Sequence, residues 1–231
     1  MKRIIISITS FITFLFPFVL KAQNAEEIIQ QVKAKLNKVN DYEAKGKLKT
    51  NVIFIKVPIA NVRIYYKKPN KLKIHNESGI SFIPKGTVNM SLGSVFANSN
   101  AYDIIDVGKE QSTGLRIIKL LPKEDSADVV LSTLYIDEKQ LLIKKARTTT
   151  RENGTYELEM TYGRYTEYGL ADKITFSFNT KDYKLPKGVT FDYDVDGKKD
   201  KEDQLQNKKG KIEIVYSEYI INKGVPDSIF Q

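Results

Sequence analysis

Alternation dominates this chain. From residue 44 to 54 every second position, Ala44, Gly46, Leu48, Thr50, Val52 and Phe54, is small or apolar, with Lys45, Lys47, Lys49 and Asn51 between them. A period of two predicts a strand with one dry and one wet face. Comparable runs occupy 59–67, 71–76, 102–107, 115–121, 129–136, 141–150, 155–168, 173–178, 189–193 and 211–221. Asp137-Glu138 and Asn153-Gly154 stand where short hairpin turns belong, and strands joined by such turns run antiparallel. Before the strands comes a helix: Ala25, Ile28, Ile29, Val32, Leu36 and Val39 share an arc of about 100° on a helical wheel. Asn24 and Glu27 have capping-box spacing ahead of it, and Asn40-Asp41 stops it. The fold class is therefore α+β: one leading helix, then about ten or eleven strands in a large curved antiparallel sheet.

One stretch departs from this rhythm. Residues 86–101 carry Val88, Met90, Leu92, Val95 and Phe96 among Ser, Asn and Gly with neither period, which reads as a short helix or ordered loop leaning on the sheet. No repeat or proline-rich spacer divides the chain, so residues 23–231 form a single domain. Residues 1–22 read as a secretory signal peptide: Lys2 and Arg3 precede the apolar run 4–20, and Ala22 supplies a small cleavage residue. The competing reading is a retained anchor, but the run is broken by Ser7, Thr9, Ser10, Thr13 and Pro17 and falls short of the roughly 20 apolar residues of a span.

Composition narrows the chemistry. Of 231 residues 41% are hydrophobic and 28% charged, as in a globular chain. The absence of cysteine excludes disulfides, thiolate metal sites, thiol nucleophiles and a lipidated N-terminal cysteine. One histidine, His75, and no tryptophan leave little for imidazole chemistry. The net charge of +9 would point to nucleic acid in a cytosolic chain, but export removes that partner. The lysines alternate with acids along strands and read as the solvated faces of a sheet, with attraction to anionic lipid headgroups as the alternative.

Catalytic motifs are missing. There is no Gly-x-Ser-x-Gly, no Ser-x-x-Lys and no glycine-rich loop ending in Gly-Lys-Ser/Thr. His75 lies among Lys73, Asn76 and Glu77 on polar alternation and reads as a surface residue. Asp103 with Asp106, or Glu157 with Glu159, could in principle do acid–base work, but the latter pair alternates with Tyr156, Leu158 and Met160 and belongs on the wet face. Asp192, Asp194, Asp196, Gly197, Asp200 and Asp203 approach a calcium loop, with oxygen ligands at alternate positions and glycine sixth. Lys199 replaces the apolar eighth residue and Asp203 the bidentate Glu, so a charged hairpin tip is the competing reading. No enzyme, resident metal or cofactor is expected.

Several segments together resemble one family. Ala25-Glu-Glu-Ile-Ile opens the helix and Val39-Asn-Asp-Tyr42 closes it, Tyr66-Lys67-Lys68-Pro69-Asn70 ends a strand pair, Leu121-Pro122-Lys123 closes a strand, and Lys173-Ile-Thr-Phe-Ser-Phe178 is followed by Leu185-Pro-Lys-Gly-Val189. In this order they resemble the LolA-like outer-membrane lipoprotein carriers over most of the chain beyond residue 22. The resemblance implies an unclosed antiparallel half-barrel with helices over its concave side, enclosing an apolar cavity for the acyl chains of lipoproteins that cross the periplasm. It places Ile29, Val32, Leu36 and Val39 in one lid element and Met90, Leu92, Val95 and Phe96 in a second, and puts the family's basic residue before Pro-Asn at Lys68, as a gating candidate. Lysine lacks arginine's planar fork. The abbreviated stretch 76–84 and the residues after 200 depart from the family pattern.

The expected cavity wall is Leu48, Val52, Phe54, Leu72, Ile74, Tyr156, Leu158, Met160, Ile174, Phe176 and Phe178, all on one side of the predicted strands. The competing reading is a filled core under the helix. The resulting expectation is a monomeric periplasmic carrier of an acylated lipoprotein or lipid, served by an inner-membrane release complex and an outer-membrane acceptor. The alternative is a periplasmic domain that senses lipoproteins for a signalling or envelope-assembly system.

Overall fold

The computed structural model describes residues 24–52, 55–56, 59–69, 71–77, 101–151, 154–179 and 209–230. Helix α1 spans Ala25–Leu36. It begins as its sequence requires: the Asn24 side chain accepts from the Glu27 N–H at 2.7 Å, and Glu26 and Glu27 sit at the positive end of the helix dipole. It ends one turn earlier than the apolar stripe. Asn37 donates back to Lys33, and Lys38 and Val39 to Lys35 and Leu36, so the last turn tightens and delivers a buried Val39 outside the helix proper.

The strands are β1 (Asp41–Val52), β2 (Ile55–Lys56), β3 (Ala60–Lys67), β4 (Lys71–Asn76), β5 (Tyr102–Lys109), β6 (Arg116–Pro122), β7 (Val129–Asp137), β8 (Leu142–Thr150), β9 (Gly154–Thr161), β10 (Lys173–Asn179) and β11 (Lys209–Ile221). They pair antiparallel in the order β4-β3-β1-β11-β10-β9-β8-β7-β6-β5, with the short β2 paired antiparallel to the end of β1 off this path. The order begins on β4 and ends on β5 without pairing the two, so the sheet is an open half-barrel. Register shifts at Lys45/Gly46, Asp106/Gly108, Val129/Leu131 and Tyr135/Ile136 are bulges of the kind that bend a sheet. At the first, Gly46 is required because a Cβ there would lie 2.7 Å from the Val215 carbonyl oxygen.

One expected strand is shorter than its pattern. Residues 155–168 form strand only to Thr161; the chain then turns through Gly163, where a Cβ would collide with the Asp172 carboxylate, into a 3-10 turn at Thr166–Tyr168. The second lid element with Met90, Leu92, Val95 and Phe96, as well as Phe54, the strand at 189–193, the acidic loop 192–203 and segment 1–22, lie outside the described residues. Among the described residues no helix is long and apolar enough to cross a membrane.

The wet face is laced by cross-strand ion pairs: Lys45–Glu218 at 3.0 Å, Lys173–Glu213 at 2.8 Å and Lys145–Glu157 at 2.9 Å. Near edge strand β4 the chain ends in a 3-10 turn, Asp227–Phe230, that packs on that strand. The Asp227 carboxylate accepts from Lys71 at 2.9 Å and pairs with Lys67 at 3.1 Å, and the Lys71 ammonium lies 5.9 Å from the Phe230 ring centroid. Hydrogen bonds from Lys71 and Lys67 hold the Asp227 carboxyl below the usual carboxylate range. A lowered folded-state pKa stabilises above the unfolded value of about 3.9, and the contribution is lost as pH falls through the lowered one. Protection factors of the 227–230 amides, corrected for the intrinsic pH dependence of exchange, are expected to stay constant from pH 7 to 5 and to fall on further acidification. Protection unchanged at pH 2 would show that the carboxylate does not hold this turn.

Candidate functional site

Pairing register decides which side chains share the concave face. One row runs Thr50–Ile212–Phe176–Leu158–Ala146–Leu134–Ile118 across β1, β11, β10, β9, β8, β7 and β6. The next row contains Gly210, Phe178, Tyr156, Thr148, Ser132, Leu120 and Ile104. On the other side of the first, Ala60, Leu48, Ile214, Ile174 and Met160 align. Ile64 and Ile74 pair further out on β3 and β4, as do Tyr66 and Leu72.

This face has two parts. Ile28, Ile29 and Val32 of α1, with Ile118, Leu134, Ile136 and Ile143 of β6 to β8, are 0–2% exposed. The helix lies against β5 and the 3-10 turn at Thr166–Tyr168, and the Lys35 ammonium donates to the Gln140 carbonyl in the β7–β8 turn at 2.5 Å. On β1 and β9 to β11 a residue of accessibility persists: Leu48, Thr50, Tyr156, Leu158, Met160, Phe176, Phe178 and Ile212 are 4–8% exposed. The first part is sealed packing. The second is the candidate site.

The second part is largely aromatic. The Phe176 and Phe178 ring centroids are 5.2 Å apart, and Tyr156 lies 5.5 Å from Phe176. Gly210 makes this possible, since a Cβ there would lie 2.4 Å from the Phe178 ring. Hydroxyls interrupt the apolar wall. The buried Ser132 and Thr148 hydroxyls are 3.0 Å apart, and Thr148 also hydrogen-bonds Tyr156. Burial raises the Tyr156 phenol, so it stays a neutral donor at physiological pH. Thr50 Oγ1 is buried with no hydrogen-bond partner among the described residues.

Five tyrosines pack together toward the α1–β1 turn. Tyr42 stacks on Tyr66 and meets Tyr219 edge-on, both at 5.2 Å, while Tyr165 and Tyr216 each lie 4.9 Å from Tyr219. Burial drives the Tyr42, Tyr216 and Tyr219 phenols up, and Tyr219 donates to the Ala171 carbonyl at 2.8 Å. Lys68 stands at the helix end. Its ammonium donates to the Asn37 carbonyl at 2.7 Å and to Asn40 Oδ1 at 3.2 Å, where a cation complements the negative end of the dipole.

Of the residues expected along the wall, Leu48, Tyr156, Leu158, Met160, Phe176 and Phe178 are buried on the concave face. Leu72, Ile74 and Ile174 are partly buried against the same cluster. Val52 belongs to β1 by its backbone. On α1, Ile29 and Val32 are buried and Leu36 partly so. Alternation places Thr50 on the dry face; Ile212, Ile214, Tyr216 and Tyr219 of β11, whose spacing carries the same signal apart from the extra residue at the bulge, and Ser132 and Thr148, whose inward aim no propensity marks, are the wall residues missed by sequence.

The carboxylates are occupied elsewhere. Glu157 pairs with Lys145, Asp103 with Lys123 at 3.7 Å, and Asp106 with Arg116. Desolvation opposes ionisation of Asp106, but hydrogen bonds from Arg116 and the Gly108 N–H outweigh it and keep the carboxyl below its ordinary value. Among the described residues no group of three histidine or acidic side chains is placed to hold a metal ion.

No family model matches the sequence, and no curated protein does. Solved structures do match. A domain described as an outer membrane lipoprotein-sorting protein from Vibrio parahaemolyticus aligns over 90% of this chain and 97% of its own, with 13% identity and a TM-score of 0.57. A LolA superfamily protein from Nitrosomonas europaea covers 91% and 98% at 10% identity and TM-score 0.55. A DUF1329 family protein from Desulfovibrio piger covers 90% and 98% at 13% identity and TM-score 0.54. The chain shares the fold of these proteins.

Proposed function

We propose that this protein is an exported carrier that holds the acyl chains of lipids or lipoproteins against its concave face and moves them toward the outer membrane without bond chemistry. The observation that carries this reading is the apolar wall of β1, β9, β10 and β11, where Leu48, Leu158, Met160, Phe176, Phe178 and Ile212 keep 4–8% exposure while Ile118, Leu134, Ile136 and Ile143 of β6 to β8 are 0–2% exposed. The physical need is large. Each methylene costs about 0.8 kcal/mol in water, so a sixteen-carbon chain costs on the order of 12 kcal/mol to expose. A curved wall of Leu, Ile, Met and Phe offers such a chain dispersion contacts and dryness at once. The likeness of fold to a lipoprotein-sorting domain agrees with it.

Delipidated protein is expected to take up a fluorescent long-chain fatty acid stoichiometrically, and Leu48→Asp to weaken uptake at least tenfold. Leu48 is 5% exposed in the central rows, where a carboxylate would meet the chain without a counter-ion. Unaltered uptake by folded Leu48→Asp protein would remove this face as the binding surface.

A further inference from the structure

We infer that the concave face recognises the carbonyl at the head of an acyl chain, through the hydroxyl of Thr50. The inference rests on the acyl-carrier reading and adds a ligand group to it. Thr50 is 8% exposed, its oxygen is buried, and no described residue takes its hydrogen bond. Valine would fill the same shape on a β-strand with comparable propensity and none of the desolvation loss of an orphaned hydroxyl. The position makes sense when a ligand supplies the missing acceptor. Thr50 pairs with Ile212, which pairs with Phe176, and Phe178 and Tyr156 stand in the neighbouring row. Ile212 of β11 thus lies between Thr50 and the Phe176–Phe178 pair, whose rings are the natural bed for the first methylenes. An acyl ester or amide presents one strong acceptor at the end of a hydrocarbon chain, which is the group this arrangement lacks.

Two matched amphiphiles test it: 1-palmitoyl-lysophosphatidylcholine, whose chain is joined through an ester, and its 1-O-hexadecyl ether, which lacks the carbonyl. Calorimetric titration of delipidated full-length protein is expected to show the ester binding about fivefold more tightly, the effect of one hydrogen bond to an otherwise unpaired donor. Thr50→Val is expected to bring the two lipids to parity with ether affinity unchanged and, in lipid-free protein, to raise the unfolding midpoint. Equal binding of both lipids by wild type, or a lower midpoint for lipid-free Thr50→Val, overturns the carbonyl assignment while the carrier reading stands. Binding of neither lipid by folded protein overturns both.

Discussion

Phe176→Asp is expected to abolish uptake of a long-chain fatty-acid probe, and Leu134→Ala to leave uptake intact while lowering the free energy of unfolding by about 2–5 kcal/mol. Both residues occupy the same register row of the concave face, three strands apart. They differ in what covers them. Leu134 is fully buried beside Ile118 and Ile136 in the part sealed with α1, so truncation leaves a cavity that no ligand fills. Phe176 retains 4% exposure between Tyr156 and Phe178 and belongs to the wall assigned to the ligand. A carboxylate there faces apolar neighbours, which raises its pKa in the folded state. Stability of this variant relative to wild type is therefore expected to be greatest below about pH 4 and to fall as pH rises toward the raised value, because the folded form holds the proton longer than the unfolded chain. Denaturant titrations at pH 4 and 7, run beside probe uptake, separate the effects. If Leu134→Ala protein that remains folded loses uptake to the same degree as Phe176→Asp, the division of the face into a sealed and a binding part is wrong.

Asn222→Ala should lower stability by about 2–3 kcal/mol and loosen the C-terminal end of α1 more than any other element. Asn222 follows β11 at φ +56°, a left-handed conformation that asparagine tolerates better than alanine. Its Oδ1 accepts from the Asn40 N–H at 2.7 Å and from Asp41 at 3.4 Å, and its Nδ2 donates to the Lys38 carbonyl at 2.8 Å. The same turn is held by the Asn222 N–H on the Asp41 carbonyl and the Gly224 N–H on the Asp41 side chain, each at 2.9 Å. One side chain thus clamps the passage from α1 to β1, at about 1 kcal/mol for each hydrogen bond lost plus the backbone strain. Asn222→Gly relieves the strain without restoring the bonds, so it is expected to fall between wild type and alanine. Amide exchange along 25–40 reports the loosening; uniform protection there in both variants would show that the clamp does not govern the helix.

Much of this architecture was readable in advance for a simple reason: strand and helix periods are local. The alternation at 44–52 and the stripe from Ala25 to Leu36 each announce a dry side that must meet another dry side, and Asn24 starts its helix with atoms three residues away. The Gly46 position could not be read so, because its need arises from the Val215 carbonyl on another strand. The same applies to residues 162–168, where β-compatible Tyr and Thr leave the sheet at Gly163, beside the Asp172 carboxylate of a later segment.

For the candidate site the division is sharper. Composition and pattern by themselves determined an α+β chain, poor in catalytic side chains, with a lysine-dotted wet face and an apolar inner one. Only the tertiary structure decided that Ile118, Leu134 and Ile136 are sealed with α1 while Phe176, Phe178 and Ile212 are less so, that Lys68 caps the helix, and that Thr50 is buried without a partner. Hydrophobicity depends on the residue alone and repeats with its own element's period, so it is written in the chain. Which side chain lies under a helix, or which hydroxyl lacks an acceptor, depends on pairing register and on residues far apart in sequence, and that information exists only once the sheet has closed its pairs.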